Sequence, residues 1–334
     1  MLELRDQWVW DFWLTKDEKQ YYCYFLKANK SLDDPDLRHF NVSQGLAVSH
    51  DLISWDYKGT VLSPSTSPNF DDYTTWTGSV LKKQNQWHYF YTGGSKKEDG
   101  KLQRIGHAVG STPYSFARVG NGLALDLDAN IYEEYTPGFW HDRSLRDPWV
   151  MINPNGNGYI MAYTARVSIS KQANECGAIG LARSDDLNNW AALPPLYQGS
   201  FGQLEVPQIF NINNRWYCLF CTRPEDWSNS FRNEYNGKVV KGTHYLIADS
   251  FDGPWQLAPG PLLTSNSSIE LYAGKVIYHK DKYVFMGFLH DDEKGNFVGK
   301  ISNPLDLSVK AVSYTHLRAH ETREDLVCRL LLEK

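Results

Sequence analysis

The strongest constraint on the fold is a motif that returns five times at nearly even intervals. Aromatic, strand-like runs begin at Tyr21 (YYCYFLKA), Trp87 (WHYFYTGG), Gly158 (GYIMAYTA), Trp216 (WYCLFCTR) and Lys282 (KYVFMGFLH). Each is followed by a second run of small and polar residues, as in GLAVSHDLISW from Gly45 and IGLARSDDLNNW from Ile179. These runs are short, bounded by Gly, Asn, Asp and Pro, and lack helical periodicity, so they read as strands. A repeat long enough to hold several strands is one blade of a β-propeller. Five such units fill residues 1–311, because each blade covers its apolar face only against its neighbours. A two-sheet sandwich is the competing architecture. The aromatic run, taken as the first strand of its blade, is expected to line the central channel.

Residues 312–334, VSYTHLRAHETREDLVCRLLLEK, abandon this pattern and resemble translated sequencing-adapter read-through more than a propeller strand. They are set apart as a non-native tail, and His316, His320 and Cys328 are not read as a metal site. The alternative for this segment is an amphipathic helix.

Composition excludes several classes of function. The formal net charge of -5 and the absence of a basic stripe argue against nucleic acid as a partner. No apolar run reaches the length of a membrane span. The start, MLELRDQWVWDFW, shows no signal peptide, which favours the cytoplasm and leaves secretion open. Five scattered cysteines do not make a disulfide framework. Cys218 and Cys221 form a CxxC inside a strand-like run, where packing explains them better than metal or redox chemistry. No cofactor is expected and no metal cluster stands out, although scattered oxygens leave a structural calcium open. The oligomeric state is not legible.

Three acids stand near the starts of different blades: Asp11 in VWDFW, Asp147 in SLRDPWV and Glu205 in GQLEVPQIF. Glycosidic cleavage needs one carboxylate to attack or activate water and one protonated acid for the leaving oxygen. A third carboxylate can orient hydroxyls and favour developing positive charge. The acid must keep its proton near neutrality, and Glu205, between Leu204 and Val206, is the best placed for that. Singly, each acid has a structural explanation: a capped turn for Asp147, a Trp N–H partner for Asp11, a strand-edge charge for Glu205. The aromatic content of 14% suits a sugar ligand.

These residues also resemble a known family. VWDFWL is similar to the segment around the nucleophile of levansucrases, glycoside hydrolase family 68, and TTWTGSVL to their Trp-Ser-Gly-Ser segment. SLRDPWV carries the Arg-Asp-Pro motif shared by families 68 and 32, and LEVPQIF resembles the family 32 pattern Glu-Cys-Pro-Asp-Leu-Phe. The motif order matches over roughly residues 7 to 300. The resemblance implies a retaining five-bladed enzyme acting on β-fructofuranosides such as sucrose, by hydrolysis or fructosyl transfer. It implies Asp11 as nucleophile, Asp147 as transition-state stabiliser and Glu205 as general acid/base. Trp10 and Trp76 match rings lining the fructosyl subsite, Thr77 a hydroxyl holding the nucleophile, and Arg146 the flank of the stabiliser. Arg223 follows Glu205 at the spacing where levansucrases place an arginine that contacts the sugar. Gln203 and Val206 replace the acidic neighbours of the levansucrase acid/base. The Asn-Asp-Pro motif of family 32 is absent, and the chain is too short for that family's β-sandwich, so it is placed nearer family 68. Two rival functions remain: a family 43-like inverting arabinosidase or xylosidase, and a sugar-binding propeller without catalysis.

Overall fold

The computed structural model describes residues 1–237, 239–260, 271–311 and 315–320, with backbone alone from residue 309 onward. Five antiparallel sheets follow one another along the chain. Blade 1 is β1 (Gln7–Lys16), β2 (Tyr21–Asn29), β3 (Ser43–Ser49) and β4 (Asp56–Leu62). Blade 2 is β5 (Thr74–Lys83), β6 (Gln86–Gly94), β7 (Arg104–Thr112) and β8 (Ser115–Leu125). Blade 3 is β9 (Leu145–Ile152), β10 (Tyr159–Arg166), β11 (Gly177–Ser184) and β12 (Ala191–Gln198). Blade 4 is β13 (Glu205–Ile212), β14 (Arg215–Thr222), β15 (Gly242–Ala248) and β16 (Gln256–Leu257), with one short helix, α1 (Asn229–Glu234), between β14 and β15. Blade 5 is β17 (Leu271–His279), β18 (Lys282–Asp291), β19 (Phe297–Ile301), β20 (Leu305–Ala311) and β21 (Thr315–His320).

The first strands β1, β5, β9, β13 and β17 contact one another in sequence, and β17 returns to β1, so the sheets close into a five-bladed propeller. The closure is reinforced by an isolated bridge, in which Leu2, ahead of β1, and Ile301, the last residue of β19, exchange two backbone hydrogen bonds of 3.0 Å. The expected fold class holds, with one correction. The aromatic runs are the second strands, β2, β6, β10, β14 and β18, and the axial strands precede them. Second strands are buried on both faces, as the almost unbroken burial of Tyr22–Ala28 shows, and therefore read as continuous apolar runs. Axial strands carry polar residues at the propeller centre and lose that signature.

The recurring Ser-x-Asp-Leu segment turns the chain from third to fourth strand. In blade 1 the Ser49 hydroxyl accepts from the Leu52 N–H at 2.8 Å, and Asp51 accepts from the Ile53 and Ser54 N–H groups at 2.9 and 2.7 Å. Blade 3 repeats this with Ser184, Asp186, Leu187, Asn188 and Asn189. Trp55 and Trp190 then donate their indole N–H to the Leu52 and Leu187 carbonyls, which explains the aromatic at the end of the motif.

Within the proposed tail, residues 315–320 form a strand paired antiparallel with β20, in place of a helix. The other tail residues, 312–314 and 321–334, lie outside the described residues. Cys218 and Cys221 are buried among packed strands.

In blades 2 and 3 the second strand sends a ring across to the third, where glycine leaves room for it. A Cβ added at Gly180 would lie 2.2 Å from the Tyr163 ring, which is fully buried and hydrogen-bonded to the Leu181 carbonyl. The substitution Gly180→Ala should lower unfolding stability by about 1–3 kcal/mol. Urea titration against wild type measures this, and an unchanged midpoint would contradict the packing described.

Candidate active site

The five axial strands share one irregularity. Register shifts fall between Trp10 and Phe12, Trp76 and Gly78, Glu205 and Gln208, and Tyr272 and Lys275, and opposite Tyr163 in blade 3. Each is a β-bulge, with one residue more on the axial strand than on its partner. Superimposing the bulges aligns five hexads: VWDFWL (9–14), TWTGSV (75–80), LRDPWV (145–150), LEVPQI (204–209) and LYAGKV (271–276). Their second positions are Trp10, Trp76, Arg146, Glu205 and Tyr272. Their third positions are Asp11, Thr77, Asp147, Val206 and Ala273. The last three of these have positive φ, at 59°, 54° and 49°. For a β-branched residue such as Val206 this conformation costs about 1–3 kcal/mol and persists only where its surroundings hold it.

Hydrogen bonds link the bulges from blade to blade. The Thr77 hydroxyl donates to Asp11 Oδ2 at 3.0 Å. The Thr92 hydroxyl, on β6, donates to the Thr77 carbonyl at 3.0 Å and accepts from the Asp147 N–H at 2.8 Å. Asp147 Oδ2 accepts from the Thr164 hydroxyl at 2.8 Å and from the Val206 N–H at 3.1 Å. The Val206 carbonyl accepts from Lys275 Nζ at 2.9 Å. An unbroken path therefore runs through all five blades and passes two of the three acids.

Glu205 is held from three sides. Arg146 donates to its Oε1 at 3.0 Å, the Tyr272 hydroxyl donates to its Oε2, and Arg223 faces it from the end of β14. Arg146 is fixed in turn by the side-chain carbonyl oxygens of Gln203 at 2.6 Å and Gln103 at 3.2 Å. Gln203 also donates to Asp226 at 2.7 Å, so the glutamine that replaces a levansucrase acid bridges Arg146 to a second buried carboxyl.

The charges set each carboxyl differently. Burial, then the neighbouring Asp147 and Glu205, push Asp11 up to about 7. Burial also raises Asp147, against the pull of Arg146. Burial raises Glu205 too, but Arg146, Arg223 and the Tyr272 hydroxyl outweigh it and hold this carboxyl below its ordinary value. The expectation that Glu205 keeps the proton near neutrality is thus reversed, because two guanidinium groups stabilise its anion. Asp11 has fewer compensating partners and binds a proton more readily than Glu205.

All three predicted acids meet at the propeller centre, with Thr77 and Arg146 beside them. Trp76 is partly buried, and its indole N–H donates to the His39 carbonyl at 2.8 Å. Trp10 is 1% exposed, with its ring edge-on to His39 and Phe297. Sequence reasoning misses Tyr272, Lys275 and the bridging role of Gln203. Tyr272 and Lys275 lie in the fifth hexad, whose only signal is that Leu271 follows Leu204 at the interval of the repeat.

Fold and site together define a five-bladed propeller with a buried carboxylate triad at its axis. The chain belongs to the glycosyl hydrolases family 32 N-terminal domain family, whose profile matches residues 14–314. That match begins just past Asp11 and supports the clan that families 32 and 68 share, without singling out family 68. A curated relative is sucrose-6-phosphate hydrolase from Pediococcus pentosaceus, 26% identical over 213 residues, covering 61% of this chain and 37% of that protein. The chain thus spans well under half the length of the curated relatives it matches. Among solved structures, inulosucrase from Halalkalicoccus jeotgali bound to kestose superimposes with a TM-score of 0.78 at 18% identity, covering 95% of this chain and 89% of that one. The β-fructofuranosidase catalytic domain from Microbacterium saccharophilum K-1 gives 0.74 at 16% identity, covering 94% and 81%. At these identities the structural likeness shows the fold.

Removing the Tyr272 hydroxyl takes away a hydrogen bond that favours the Glu205 anion. Tyr272→Phe should therefore raise the Glu205 pKa while leaving the fold intact. Carbon-13 NMR titration of carboxyl-labelled glutamate checks this, and an unmoved Glu205 would contradict the assigned contact.

Proposed function

We propose that this protein cleaves β-fructofuranosides such as sucrose by double displacement, with retention, and passes the fructosyl group to water or to a sugar hydroxyl. The observation that carries this reading is the convergence of Asp11, Asp147 and Glu205, from three blades, on one buried site beside Arg146, Thr77 and Tyr272. Family membership and relatives named sucrose-6-phosphate hydrolase or invertase point to the same substrate class.

In this mechanism Asp11 attacks the anomeric carbon, and the bond to the leaving oxygen breaks as Glu205 donates its proton to it. The product is an ester between Asp11 and the fructosyl unit. Glu205, now an anion, takes the proton from an incoming water or hydroxyl, whose oxygen attacks the same carbon and frees Asp11. Asp147 does not react. Held by the Val206 N–H and the Thr164 hydroxyl, it faces the positive charge that develops on the ring and accepts hydrogen bonds from sugar hydroxyls. Thr77 fixes the Asp11 carboxylate for attack. Arg223 is placed to contact the sugar on the Glu205 side, and Trp76 offers it a ring face.

The Asp11–Glu205 pair must hold one proton between them. Two protons leave no nucleophile and none leaves no acid, so the singly protonated pair is the active form. It is lost as pH rises through the Asp11 step near 7 and as pH falls through the Glu205 step, below the ordinary glutamate value. The kcat/KM profile for sucrose should be a bell with its optimum in mildly acidic solution. A profile still rising at about pH 8 would contradict this assignment.

The direct test is to incubate the full chain with sucrose, and separately with sucrose 6-phosphate, and follow glucose (or its phosphate) and fructose over time. Equal release marks hydrolysis, and a shortfall of fructose marks transfer. Asp11→Asn should lower turnover by about a thousandfold or more without loss of folding. Turnover at the wild-type rate in that variant, or no product from any fructoside by folded wild type, would overturn the reading.

A further inference from the structure

In blades 2, 3 and 4 the fifth position of the hexad ties its blade to the next. Ser79 accepts from the Val150 N–H at 3.1 Å, the Trp149 indole donates to the Ile209 carbonyl at 3.2 Å, and Gln208 pairs with both the N–H and the carbonyl of Val276 at 2.6 and 2.8 Å. Lys275 holds the same position in blade 5 and does something else. Its ammonium turns back to the Val206 carbonyl at 2.9 Å, with its own blade's Gly274 carbonyl at 3.4 Å. The residue is 1% exposed.

We propose that Lys275 is a positioning residue for the nucleophile: its buried ammonium fixes the strained Val206 bulge that holds Asp147, and supplies a positive charge whose field reaches Asp11. The inference rests on reading Asp11 as the attacking group. A buried ammonium is costly unless anions face it. The titratable groups around Lys275 are Asp11 on β1, Asp147 on β9, and Cys218 and Cys221 on β14. Both thiols are pushed up by burial, to about 12 and about 11, and stay neutral. The groups left to compensate it are Asp147 and, once ionised above its step near 7, Asp11.

The remaining charges are already engaged. Arg146 binds Glu205 and lies 3.6 Å from Asp147, and Arg223 faces Glu205, Asp226 and Glu225. Around Asp11 stand Asp147 and Glu205, which oppose its ionisation, and the Thr77 hydroxyl and Lys275, which favour it. Arg38, beyond Trp10, also feels Asp11 but is bound to Asp36. Two carboxylates work against ionisation of the nucleophile, and the Lys275 ammonium works for it. Through Val206 it also acts on Asp147, so one side chain couples blade 5 to both aspartates.

The test uses the full chain labelled with carbon-13 at the aspartate carboxyls, with the Asp11 signal identified by its absence in Asp11→Asn. Lys275→Met keeps length and bulk and removes the charge, and Lys275→Arg keeps the charge. The Asp11 titration midpoint should rise by about one unit or more in Lys275→Met and return towards wild type in Lys275→Arg. The alkaline limb of kcat/KM for sucrose should move up in parallel, and kcat should fall about tenfold or more with KM changed less. A merely structural lysine would lower stability and leave the Asp11 midpoint in place, and that result in folded Lys275→Met overturns the proposal. Should Lys275→Met fail to fold, Lys275→Gln, which can still donate to the Val206 carbonyl, gives the same reading. A shifted Asp11 in a protein that turns over no fructoside would sink the fructosidase reading and leave the role of Lys275 standing. Turnover with an unshifted Asp11 would do the reverse.

Discussion

The structure depends on one extra residue in each axial strand. A regular strand alternates its side chains strictly between two faces, so second and third hexad positions would point apart. The bulge breaks that alternation at one height in every blade. It lets Asp11, Asp147 and Glu205, on strands that never pair with each other, meet at the axis. Bulged backbone also carries donors and acceptors that no ladder satisfies. These become the cross-blade path from Lys275 through Val206, Asp147, Thr92 and Thr77 to Asp11. The same irregularity that exposes the reactive groups supplies the bonds that hold them.

Gathering three carboxylates in a buried space is unfavourable, and the compensation is uneven. Glu205 receives two guanidinium groups and a phenol, whereas Asp11 receives a threonine hydroxyl and a more distant ammonium. That asymmetry separates the two carboxyls in proton affinity and favours the shared proton on Asp11, so the arrangement that reacts, with Asp11 ionised and Glu205 protonated, is the minor one of the singly protonated pair. Esterification of Asp11 then removes a negative charge beside Glu205 and favours its anion, the form required to activate the acceptor. The Arg146 fan is the stiff element of this arrangement, since Gln103, Gln203, Ser144 and Asp142 leave its guanidinium little freedom.

Much of this is legible in the chain. The fivefold spacing of aromatic runs reveals the propeller because second strands are buried on both faces and keep an unbroken apolar pattern. The three acids are visible because VWDFWL, SLRDPWV and LEVPQIF place a charge where an apolar residue would be expected. Other features are hidden for physical reasons. The axial strands read as segments preceding the blades, since their bulges break the period-two alternation on which strand recognition rests. LYAGKV carries no acid, so Tyr272 and Lys275 look ordinary until the register aligns them with Glu205 and Gln208. The proton affinity of Glu205 is misjudged because its apolar sequence neighbours, Leu204 and Val206, suggest desolvation. The arginines that dominate it, Arg146 and Arg223, are distant in sequence. Trp10, which the resemblance matches to a ring lining the fructosyl subsite, is covered by Phe297 and His39, and sequence separation conceals that too.

The central claim is that the fructosyl group is carried on Asp11. The most direct measurement is to treat a Glu205→Ala variant with an aryl β-fructofuranoside, whose leaving group departs without an acid, quench it rapidly, and locate any covalent adduct by peptide mass spectrometry. Without Glu205 to activate the acceptor, the ester should accumulate, and the account predicts one fructosyl unit on the peptide containing Asp11. Release of the aryl group with an adduct on another residue, or steady release with no adduct at all, would contradict it.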